Sequence, residues 1–171
     1  MWQHTGTHRP VFAIEPQPGQ ESVWDYPRPP MITMDTRLVL VMYKDITIAE
    51  TRQCYKVMET ASPPTFYIPP EDIDFRYLVE NTNSSFCEWK GQASYFDLSY
   101  ETELVQNIGW CYRRPLPRFV LIKEYLCFYP AKLECYIDNI KVKAQASRFY
   151  GGWITPEVIG PFKGDPGTEL W

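Results

Sequence analysis

Short apolar runs alternate along this chain with prolines, glycines and acid–amide turns, and few stretches hold one period for long. Residues 37–43, with Val39, Val41 and Tyr43, are β-branched and aromatic and read as a strand; Lys44-Asp45 turns it into a second strand over residues 46–50. Residues 51–59 fit a short helix capped by Thr51 and burying Cys54, Tyr55 and Met58. Pro63-Pro64 ends it, and Thr65-Phe66-Tyr67-Ile68 is a further strand. In Pro69-Pro70-Glu71-Asp72-Ile73-Asp74, proline in the first turn and carboxylates near the positive dipole end mark a helix start. Strands at residues 85–88 and 92–99 meet a partner at 103–112 across a tight hairpin, Tyr100-Glu101-Thr102. A short helix opens at Pro115-Leu116-Pro117, strands follow at 125–129 and 134–137, and Asp138-Asn139 turns the last one back.

The two ends differ from this middle. Pro10, Pro16, Pro18, Pro27, Pro29 and Pro30 interrupt residues 1–36, which are expected to form an extended arm pinned to the domain surface by Trp24 and Tyr26. Residues 149–171 are rich in glycine and proline and should form a tail wrapped on the domain. Residues 37–148 then supply seven or eight short strands and two or three short helices. The expected class is mainly β (α+β), a single domain of short antiparallel strands with extended N- and C-terminal segments.

Composition narrows the function classes. A chain of 171 residues supports one real core, and 44% hydrophobic against 22% charged residues argues against global disorder. The net charge of -4 offers no basic field for a phosphate backbone, so no nucleic-acid partner is expected. No run approaches the ~20 apolar residues of a membrane span. The N-terminus lacks the apolar centre of a secretion signal, and five scattered cysteines suit reduced thiols, which together indicate a soluble cytoplasmic protein.

Few residues offer metal or nucleophilic chemistry. The histidines are His4 and His8, and no cysteine pair has C-x-x-C spacing, so neither a metal site nor a cofactor is expected. Asp72 and Asp74 have a spacing that holds Mg²⁺ against phosphate when both face one way, although the preceding prolines favour the helix start. Cys87 is a possible reactive thiol with Lys90 as its cationic neighbour, weighed against the tendency of free cysteines to be buried. The aromatic cluster is the better candidate. On an extended strand Leu104, Gln106, Ile108, Trp110 and Tyr112 share a face, and Asn107 joins Trp110 only if Gly109 hosts a bulge. Trp89, Lys90, Tyr95, Asn107, Trp110 and Tyr112 would then wall a ligand pocket, apolar with a few polar groups.

Cys87-x-x-Lys90-Gly91-x-Ala93-x-Tyr95 followed by Asn107-x-x-Trp110-x-Tyr112-x-x-Pro115 resembles domain-of-unknown-function family 427. Glu21-Ser22-Val23-Trp24-Asp25-Tyr26-Pro27, Tyr67-Ile68-Pro69-Pro70-Glu71-Asp72 and Tyr125-x-x-Phe128-Tyr129 agree with it, from about Glu21 to Ile140, and the tail from Phe149 resembles one branch. Glu88 departs from the family pattern, where many members have proline. The resemblance implies a β-tent-like fold, similar to domains that elsewhere bind zinc or planar ligands in an aromatic cage; their zinc knuckles are missing here. The family is sometimes labelled nucleotidyltransferase-like, but the Gly-Ser that usually precedes the paired aspartates is not found before Asp72.

The function expected is binding of a small planar or cyclic metabolite in an aromatic-lined pocket. Two alternatives stand beside it: a metal-dependent enzyme acting on a nucleotide or phosphate ester through Asp72, Asp74 and Lys90, and a protein–protein interaction module using the arm and tail. No particular reaction follows from these residues.

Overall fold

A computed structural model describes residues 3–168 and 171 of the chain. Its strands, in order, are β1 (Glu21–Ser22), β2 (Met31–Asp35), β3 (Val39–Tyr43), β4 (Ile46–Thr51), β5 (Cys54–Met58), β6 (Thr65–Tyr67), β7 (Leu78–Cys87) and β8 (Gly91–Tyr100). They continue as β9 (Glu103–Cys111), β10 (Leu126–Phe128), β11 (Glu134–Ile137), β12 (Ile140–Lys141), β13 (Lys143–Ala144), β14 (Trp153–Ile154) and β15 (Val158–Ile159). Short 3-10 segments at Val23–Asp25, Pro70–Asp72, Phe75–Tyr77 and Pro117–Ile122 stand where short helices were expected or at element ends, and the fold is mainly β.

Three antiparallel sheets form the body, in the orders β10-β9-β8-β7, β12-β11-β3-β4 and β2-β5-β6. The hairpins fall at the expected turns. Lys44 (φ 51), Glu101 (φ 52), Asp138 (φ 45) and Asn139 (φ 66) adopt the left-handed conformation that tight hairpins need, which Asp and Asn tolerate well. Val39, Val41 and Ile48 of one four-stranded sheet share a buried cluster with Phe96, Leu98, Ile108 and Phe128 of the other. A second cluster gathers Val57, Tyr67, Ala93, Trp110 and Phe119, and it is the one that holds the site.

Three expectations change. Residues 51–59 are not a helix. Cys54–Met58 is the central strand β5, bonded to β2 on one side and β6 on the other, and buried on both faces apart from Tyr55. A short apolar run of this kind fits either period, and two flanking strands decide it. The stretch expected as arm also contributes a ladder: Met31–Asp35 pairs residue for residue with β5, from Met31↔Met58 to Asp35↔Cys54. Pro29 and Pro30 stop immediately before it, as an edge strand permits. Trp24 and Tyr26, expected to pin this stretch to the domain, are both buried, and the Trp24 indole donates to the Pro161 carbonyl at 3.0 Å.

The bulge lies at Asn107 rather than Gly109. Phe96 pairs with Gly109 and Leu98 with Val105, so Asp97 alone opposes Gln106, Asn107 and Ile108. Asn107 takes φ 52, its N–H donates to Asp97 at 2.7 Å, and the alternation breaks there. Ile108, expected on the Trp110 face, packs in the other cluster. Gly109 serves a close approach instead: a Cβ there would lie 2.7 Å from the Cys127 carbonyl oxygen of β10.

The ends are tied to the body and to each other. β1 pairs with β15 in parallel, β13 with β14, and Trp153 is fully buried in the main core. No helix of the described residues is long and apolar enough to cross a membrane.

Candidate functional site

Register builds the aromatic wall. Tyr95 of β8 pairs directly with Trp110 of β9, so both side chains leave the same face, and Tyr112 follows two residues on. The Trp110 indole donates to the Tyr67 hydroxyl at 3.3 Å, and the Tyr129 ring lies 4.7 Å away, centroid to centroid. Glu88, Trp89 and Lys90 form the link between β7 and β8 and bring the lysine to the edge of this wall. Together these residues surround a cavity of about 260 Å³.

The tail supplies the other side, through Phe149, Tyr150, Gly151, Gly152 and Lys163. Gly151 permits this because a Cβ there would stand 2.6 Å from Trp110 Cη2. The segment is fastened by hydrogen bonds: the Tyr129 hydroxyl donates to the Phe149 carbonyl at 2.9 Å, and the Gly152 N–H to Gln145 Oε1 at 3.0 Å. Gln145 in turn donates to the Lys163 carbonyl at 2.5 Å. Sequence reasoning missed these residues, since an irregular tail has no period; the Gly151-Gly152 pair beside aromatics was the one available signal.

Most polar groups around the cavity are satisfied by the protein. The Tyr95 and Ser85 hydroxyls bond at 2.8 Å, and Arg28 reaches Glu59 at 3.0 Å and Glu88 at 2.7 Å while lying over the Trp89 ring. Glu88, the departure from the family pattern, thus has a charge partner. Two donors are different. Lys90 is 8% exposed, with its ammonium 5.7 Å from the Phe119 ring centroid and no carboxylate partner among the described residues. Trp89 Nε1 is buried without an acceptor among the described residues. A buried indole N–H of this kind is costly unless something accepts from it.

Trp89, Lys90, Tyr95, Trp110 and Tyr112 therefore line one cavity, together with Cys87. Asn107 does not reach it: its side-chain oxygen accepts from Asn81 at 2.9 Å and Asn83 at 3.0 Å. Asp72 and Asp74 are also elsewhere. Asp72 accepts from the Thr51 hydroxyl at 2.5 Å, and Asp74 caps Phe75–Tyr77 and pairs with Arg76 at 2.6 Å, which holds its carboxyl below the usual range. No group of three or more His, Cys, Asp or Glu suited to a metal ion occurs among the described residues. Cys87 is the half-exposed thiol; Cys54, Cys111, Cys127 and Cys135 are buried, and burial pushes Cys111 up to about 11. Burial likewise raises the Tyr112 hydroxyl, which lies against Cys87.

No curated protein matches the chain. A family model described as a domain of unknown function (DUF427) matches residues 31–139, which take in β2 to β11 and the aromatic wall but stop before the tail that completes the cavity. With well over half of its length matched, the chain belongs to the DUF427 family.

Proposed function

We propose that this chain is a binding module for a small planar or cyclic metabolite, held between the Tyr95–Trp110–Tyr112 wall and the tail at residues 149–152. The observation that carries the reading is the division of labour around the cavity: its rings are fixed by their own hydrogen bonds, while Lys90, which lines it, has no carboxylate partner among the described residues. A flat apolar body stacks on such rings, and an acceptor on its rim meets the Lys90 ammonium. Asp72 and Asp74 stand outside the cavity and take no part.

A library of planar heterocycles, screened by tryptophan quenching and thermal shift, tests the reading. Hits should be lost in Trp110→Ala and retained in Asp72→Asn. Hits that survive Trp110→Ala would place binding elsewhere.

A further inference from the structure

The cavity is electrostatically unlike the rest of the molecule. The chain carries a net charge of -4. Among the described residues that line the cavity, however, the cations are Arg28, Lys90 and Lys163 and the carboxylates are Glu59 and Glu88, both paired with Arg28. Lys163 lies 4.6 Å from the Tyr150 ring centroid, and neither it nor Lys90 has a carboxylate partner among the described residues. The described lining thus carries one positive charge in excess, beside rings whose faces favour it but do not neutralise it. Lys90 is 8% exposed as a residue, its stem packed and its ammonium left without a carboxylate among the described residues.

Size limits what can answer that charge. An apolar cavity of about 150 Å³ holds benzene. The cavity here, about 260 Å³, takes one ring with a substituent of a few atoms. A single excess charge matches a monoanion better than a phosphate dianion. We infer that the ligand is a planar ring bearing one carboxylate, with the carboxylate at Lys90 and the ring against Trp110 and Tyr112. This rests on the binding reading above and narrows it to a ligand class.

Matched acid and amide pairs separate charge from shape: benzoate with benzamide, nicotinate with nicotinamide, and indole-3-carboxylate with its amide. Titration calorimetry on the full chain at low ionic strength should give the acid an advantage of about tenfold or more, as a charge-assisted hydrogen bond provides. Lys90→Met keeps the apolar stem and should remove that advantage, bringing acid and amide to similar affinities. Equal affinity of acid and amide for the unaltered protein overturns the carboxylate assignment and leaves a neutral ring ligand standing. Failure of every acid and every amide to bind overturns both readings. If Lys90→Met does not fold, the comparison on the unaltered protein decides alone.

Discussion

A methyl group at residue 151 would strike the aromatic wall. In Gly151→Ala the new carbon would lie 2.6 Å from Trp110 Cη2, 2.7 Å from Cζ3 and 2.9 Å from Tyr129 Cδ1. Carbon atoms rest about 3.5–4.0 Å apart, so the ring or the tail must shift by roughly 1 Å. Trp110 has little freedom to yield, being buried, bonded to the Tyr67 hydroxyl and packed on Tyr129. The tail is held by Gln145 and by the Trp153 N–H donating to the Pro64 carbonyl at 2.8 Å. Overpacking of this sort costs about 1–3 kcal/mol. For a chain of this size that lowers Tm by roughly 2–12 °C. Urea and thermal unfolding of Gly151→Ala measure the loss directly. The same substitution in a Trp110→Phe background supplies the control, because phenylalanine lacks the two atoms struck first. The penalty should then shrink, as coupling between touching residues requires. An equal loss in both backgrounds, or no loss in either, would mean that the tail does not lie on Trp110.

Other perturbations reach different parts of the structure. Burial pushes the Asp35 carboxyl up, but the hydrogen bonds and charge of Arg37 outweigh it and the net shift is downward. A depressed folded pKa gives stability that is present above the unfolded value near pH ~3.9 and lost as pH falls through the folded one. Asp35→Asn should therefore destabilise the protein at neutral pH, with the gap closing in acid; a gap constant with pH in urea unfolding would count against the pairing. Gly109→Ala should cost more than Gly151→Ala in the same assay, because its Cβ meets the Cys127 backbone oxygen within the β9–β10 ladder, and equal losses would refute that. Of the five thiols, Cys87 alone should react quickly with a chromogenic aromatic disulfide in the folded protein, and Cys87→Ser should abolish the fast phase. Fast reaction of any buried thiol would contradict the packing.

How much of this was legible depended on local periodicity. The β8–β9 hairpin, its Tyr100-Glu101-Thr102 turn and the Asp138-Asn139 turn are set by residues adjacent in sequence, and strand alternation places Trp110 and Tyr112 on one face. Lys90 follows as the link residue beside them. Asn107 was misplaced because the bulge depends on Asp97 across the ladder, which alternation within one strand cannot reveal. Residues 51–59 carry a spacing compatible with either period, and only the neighbours β2 and β6 settle the strand. The tail escaped for a third reason: Gly151 and Gly152 have no side chains to signal burial, and their contacts lie far away in the sequence.

The central claim concerns which surface of the molecule meets a ligand, and indole N–H resonances of the six tryptophans report on it most directly. Titration with nicotinate or benzoate followed by ¹⁵N–¹H spectra should move the Trp89 and Trp110 indole signals, since both residues line the cavity, and leave those of Trp24 and Trp153 unmoved in their separate packing sites. Shifts confined to Trp24 or Trp153, with Trp89 and Trp110 unchanged at saturation, would contradict binding in this cavity.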